Sequence, residues 1–150
     1  MMNYTKIFIV LITLFAGLKT YSQVVSTLPV FPNENDTVMV FYHSDQGNGA
    51  LEGVIPIYAH TGVITSNSSS DTDWQHVVGN WGTPDPQVIM TYVSPNLFKI
   101  VIPIQEFYSI DDGEQVFRLA FVFRNTDGSL VGRNSDGSDI FIDLVSDGDI

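Results

Sequence analysis

Two tryptophans stand out in an otherwise polar stretch. Trp74 and Trp81 lie seven positions apart within GVITSNSSSDTDWQHVVGNWGTPDPQ, residues 62–87. An indole offers a large flat apolar body with one polar N–H at its edge. Such rings stack on the apolar faces of sugar rings, while amide, carboxylate and hydroxyl groups bond the sugar hydroxyls. Asp73, His76 and Asn80 flank the pair, and Tyr58 and His60 precede it at the end of an apolar segment. Trp74, between Asp73 and Gln75, reads toward a ligand face. Trp81, followed by Gly82 and Pro84, reads equally as a ligand contact or as a cap on the core. Tyr92 fits either a core or a partner surface.

Other chemistries find less support. Neither G-x-S-x-G nor H-E-x-x-H occurs. His43, His60 and His76 have no metal-ligand spacing among themselves, so no metal site is assigned. Asp111-Asp112, before Gly113, reads as a turn rather than a catalytic acid pair. A glycosidase needs two carboxylates facing each other across a groove, about 5–10 Å apart. A small sandwich rarely builds one, so the expectation is a non-catalytic protein. Asp127-Gly128-Ser129, Asp136-Gly137-Ser138-Asp139 and Asp147-Gly148-Asp149 look like fragments of calcium loops. Asp-Gly also makes tight turns by itself. The EF-hand pattern is absent, so Ca2+ is a secondary expectation and no other cofactor is expected.

These residues need a scaffold, and the apolar pattern supplies one. Apolar side chains alternate with a period of two over 37–42, 54–60, 88–93, 97–104, 116–124 and 140–144. Pro56 marks an edge or a bulge. Ser94-Pro95-Asn96 forms a three-residue hairpin connection. In VFRLAFVFR, alternation assigns Phe117, Leu119, Phe121 and Phe123 to a buried face. A single helical turn is expected within 104–110. Residues 62–87 read as one long polar connection, of a kind that is often functional. About seven short strands separated by Gly, Asn and Asp turns indicate an all-β sandwich, with an up-and-down barrel as the alternative.

The totals narrow the setting. Residues 7–17 form an apolar run of 11, flanked by Lys6 and by Thr20-Tyr21-Ser22. A span needs about 20 apolar residues. The run is therefore read as the core of a signal peptide, residues 1–22, cleaved before Gln23. That implies a secreted, periplasmic or cell-surface protein whose single module is residues 23–150, with a core from about 29 to 144. All 17 Asp and Glu follow residue 23, against only Lys99, Arg118, Arg124 and Arg133, for a net −13. So acidic a surface repels phosphate backbones and anionic lipid, which argues against a nucleic-acid partner. No further run is long enough for a membrane-spanning helix. With no cysteine, disulfides and thiol chemistry are excluded.

Two strings of residues carry a resemblance. One is Ile57-Tyr58-Ala59-His60-Thr61-Gly62-Val63-Ile64-Thr65, with Asp73-Trp74 and Asn80-Trp81-Gly82. The other runs from Leu119 to Asn125, with Asp127-Gly128-Ser129, Gly132-Arg133 and Asp136 to Asp143. Together they resemble a carbohydrate-binding-like module at the front of secreted α-amylase-family proteins of Bacteroidetes-type bacteria. The similarity runs from about Pro29 to Leu144. It implies an immunoglobulin-like, E-set-like sandwich that holds starch or a related α-glucan. It also implies a catalytic partner, as a domain or a separate chain. The alternative function is a structural or protein-interaction domain.

Overall fold

The computed structural model describes residues 23–148; the expected signal peptide and Asp149 of the last Asp-Gly turn lie outside them. Nine strands form two antiparallel sheets, with one helical turn between strands. In chain order they are β1 (Val25–Leu28), β2 (Thr37–His43), β3 (Tyr58–Thr65), β4 (Gln75–Val78) and β5 (Thr91–Ser94). Then come β6 (Leu97–Pro103), α1 (Ile104–Phe107), β7 (Val116–Arg124), β8 (Val131–Gly132) and β9 (Ile140–Asp143). The first sheet runs β1-β2-β6-β5. The second runs β4-β3-β7, and β7 carries β8 and β9 along its far edge. Two open sheets rule out the up-and-down barrel. The order is that of an immunoglobulin-type sandwich with one added edge strand beside the third.

Alternation builds the first sheet as the sequence suggests. Val38, Val40 and Tyr42 on β2 pair with Ile102, Ile100 and Phe98 on β6, and all six are buried. Val101, on the opposite face of β6, is exposed. Across the core, Ala59, Thr61 and Val63 of β3 face inward with Phe123, Phe121 and Leu119 of β7. Tyr42 stacks on Phe123 with ring centroids 3.8 Å apart, which joins the two sheets through aromatic contact. Inside this apolar layer the Thr61 hydroxyl donates to the Ala120 carbonyl at 2.7 Å and meets the Tyr108 hydroxyl at 2.7 Å. Burial pushes the Tyr108 phenol up.

Phe117 departs from the expected buried face. Leu119, Phe121 and Phe123 are fully buried, but Phe117 is 43% exposed and Val116 is buried in its place. The pairing explains the exchange. Ile64 opposes Arg118, and the next residue, Thr65, opposes Val116. Phe117 is therefore the extra residue of a β-bulge, and the bulge reverses the inward and outward sides below it.

The 62–87 segment also differs from a single long connection. β3 begins at Tyr58, later than position 54, and continues through Thr65. Gln75–Val78 then returns as an edge strand. The polar composition that reads as loop reflects an edge, which has only one neighbour to pack against. The hairpin between β5 and β6 turns on Pro95 and Asn96 alone, since Ser94 and Leu97 already pair. Asn96 takes the left-handed conformation, at φ 60°, which asparagine tolerates better than most residues.

Candidate functional site

The outer face of the second sheet gathers all four candidate residues. Tyr58 and His60 on β3 oppose Arg124 and Val122 on β7, so these side chains share the face turned away from the core. Trp74, just before β4, folds over the same face. It comes close because position 62 is glycine: a Cβ there would lie 3.2 Å from the Trp74 Cβ and 3.0 Å from the Gln75 carbonyl oxygen. Trp81, beyond β4, also packs against His60. The imidazole is 6.2 Å from the Trp74 ring, tilted 31°, and 5.2 Å from the Trp81 ring, edge-on at 87°. The two indoles are therefore not parallel, and with His60 in contact with both they make an uneven aromatic surface.

Exposure sorts the four residues into roles. Trp81 is 46% exposed, while Trp74 and His60 are half-buried. Tyr58 is only 5% exposed and lies under the Arg124 guanidinium, whose carbon is 4.9 Å from its ring centroid. Tyr58 thus supports the surface from below, and Trp81 is its most accessible ring. Trp81 is thus more accessible than Trp74, the tryptophan expected to be the more ligand-facing. Trp74 sits over β3 at the glycine, whereas Trp81 projects from a turn.

Arg124 determines where Trp81 stands. Its side chain is fully buried, yet it pairs with no carboxylate among the described residues. Nη1 donates to the carbonyls of Asn125 and Thr126, both at 3.0 Å. Nη2 donates to the carbonyls of Asn80, at 2.6 Å, and Thr83, at 2.7 Å. The fixed fork of the guanidinium ties the Trp81 turn to the β7–β8 turn at four points. Asp85 closes the same turn by accepting from the Asn80 and Gln87 backbone N–H groups, each at 2.9 Å. Those two bonds hold its carboxyl below the usual carboxylate range. Gly128 completes the seat. It has φ +72°, and a Cβ there would fall 2.6 Å from the Trp81 Nε1.

The site's electrostatics follow from this packing. Burial lowers the His60 pKa from its ordinary 6.5, and the nearby Arg124 charge lowers it further. A neutral imidazole between two indoles leaves an apolar surface with polar edges, suited to an uncharged ligand.

A second cluster escaped the sequence reading. The Glu114 carboxylate accepts from the Thr65 hydroxyl at 2.5 Å and lies 2.8 Å from the His76 Nε2. Asp111 stands beside them, and one ligand atom from each of His76, Asp111 and Glu114 lies within 4.8 Å of the others. The group joins β4 to the turn before β7, and 38 positions separate His76 from Glu114. No local spacing encodes it; only the β3–β4–β7 pairing brings it together. The Asp-Gly turns look different. Asp127 and Asp136 each bond the backbone N–H and hydroxyl of the serine two residues on. Each therefore uses its carboxylate to close its own turn.

Compared with known proteins, the chain matches no protein-family model and no curated protein sequence.

Proposed function

We propose that the protein is a secreted, non-catalytic carbohydrate-binding module that takes starch or a related α-glucan. The observation that carries this reading is the aromatic surface of Trp81, His60 and Trp74 on one sheet face, with Trp81 held outward by the Arg124 carbonyl network. A preorganised ring stacks on a sugar at little ordering cost. The net negative charge suits a neutral polysaccharide better than a phosphorylated or sulfated one. The resemblance to modules that accompany α-amylases agrees with the chemistry of this face. It supplies the glucan class and a catalytic partner, as a domain or chain. A shallow stacking site buries little ligand surface, so affinity is modest.

Affinity electrophoresis tests the proposal. Gels containing starch, glycogen, pullulan, cellulose or no polysaccharide are run with the wild type and with Trp81→Ala. Retardation is expected in the α-glucan gels. Trp81→Ala is expected to lose about tenfold in affinity, or ~1.4 kcal/mol. Its unfolding free energy is expected to fall by only about 1 kcal/mol. Equal mobility in every gel rejects glycan binding and favours the alternative, a protein-interaction domain.

A further inference from the structure

We propose that His76, Asp111 and Glu114 form a binding site for one divalent transition-metal ion of the Zn2+ class. The inference is independent of the sugar-binding reading. It uses no residue of the aromatic surface.

The donor set points to this class of ion. One imidazole nitrogen and two carboxylates suit Zn2+ and its neighbours, whereas Ca2+ takes six to eight oxygens. The ligand atoms already lie within 4.8 Å of one another, with His76 Nε2 and Glu114 Oε2 at 2.8 Å. Two donors on one Zn2+ stand about 3–4 Å apart, given bonds of roughly 2.0–2.2 Å. Metal binding replaces the His76–Glu114 hydrogen bond, so that pair has to open by roughly 0.5–1 Å, while the exposed Asp111 carboxylate supplies the third donor. Glu114 is held for the role: its side chain is 2% exposed, and the Thr65 hydroxyl fixes its other oxygen. Such outer hydrogen bonds orient a metal-ligating carboxylate.

Charge supplies a second, independent argument. Glu114 is a buried carboxylate with no Lys or Arg partner among the described residues. Of the four Lys and Arg among the described residues, Arg118 pairs with Asp143 and Arg133 with Asp139. Both Arg124 Nη atoms donate to backbone carbonyls, and Lys99 lies on the other sheet. Next to the cluster, a cleft of about 330 Å3 is lined by Glu34, Asp112 and the two carboxylate ligands. That corner gathers four carboxylates, and no Lys or Arg is among the residues that line it. The cleft brings water to the Asp111 side of the cluster. On binding, a neutral His76 ring moves its proton to Nδ1, and a charged ring releases one proton to solvent; either frees the Nε2 lone pair.

The test uses the purified protein stripped with EDTA. It is titrated with Zn2+ by calorimetry and with Co2+ by visible absorption. One saturable equivalent is expected, with d–d bands for Co2+. Asp111→Asn changes an exposed side chain, so it is expected to keep the metal-free melting temperature while weakening Zn2+ at least tenfold. His76→Ala is expected to abolish the one-equivalent step and the Co2+ bands. The proposal is overturned if no single-equivalent step appears. It is also overturned if Asp111→Asn binds as tightly as the wild type, or if Ca2+ binds as tightly as Zn2+. Either of those last outcomes makes the cluster an ion pair on an acidic surface.

Discussion

Arg124 shows how little a single residue's type reveals about its job. In the sequence it is the last residue of an apolar strand, alternating with Phe123. In the fold it is fully buried and holds four carbonyls from two turns. Nothing in VFRLAFVFR marks that role, because its partners lie up to 44 positions away and are backbone atoms of any residue type. Tyr58, His60, Trp74 and Trp81 were legible as a group because aromatic rings in polar surroundings are conspicuous. Their order of exposure was not, since it depends on Gly62 drawing Trp74 inward and on Arg124 fixing the Trp81 turn. His60 leads to a pH prediction. Its folded pKa lies below the ordinary 6.5. Between those two values the unfolded chain binds the extra proton, so stability falls as pH drops from 6.5 through the folded value. Above 6.5 the contribution is complete. Urea unfolding across pH 7.5–5 is expected to show a steeper loss for wild type than for His60→Gln. Parallel curves for the two proteins would place His60 outside the packed surface.

At the level of elements, β7 tests the face assignment. Strict alternation predicts four buried large residues, and the bulge opposite Ile64 and Thr65 removes one of them. Bulges are set by pairing between strands, so a one-strand pattern carries no signal for them. Phe121→Ala is expected to cost about 3–5 kcal/mol, as truncating a buried aromatic does. Phe117→Ala is expected to cost less than about 1 kcal/mol, as a change at an exposed site does. Denaturant unfolding of both variants measures the difference. Equal losses would place Phe117 in the core and remove the bulge. The edge strand β4 was hidden for a related reason. QHVV is too short for its alternation to stand out, and its surroundings are rich in Ser, Asp and Gly.

For the whole molecule, the sandwich was readable because both sheets need alternating apolar residues, and β2 and β6 follow that pattern closely. Nine strands stand where about seven were expected because β1, β4 and β8, absent from the apolar runs, span only four, four and two residues. Alternation cannot register over so short a run. What the architecture then provides is a rigid face. Pairing of β3 with β7 lines up Tyr58 with Arg124 and His60 with Val122, and the two turns pinned by Arg124 set Trp81 above them. We propose that this face contacts an α-glucan through Trp81. The chain has two tryptophans, so an amide-correlation NMR spectrum resolves two indole N–H signals, assignable with Trp74→Phe. Titration with maltoheptaose is expected to shift the Trp81 indole signal most, the Trp74 signal less, and the core amides of β2 and β6 hardly at all. Unmoved indole signals at saturating maltoheptaose, or shifts confined to another face, would rule out α-glucan contact through Trp81.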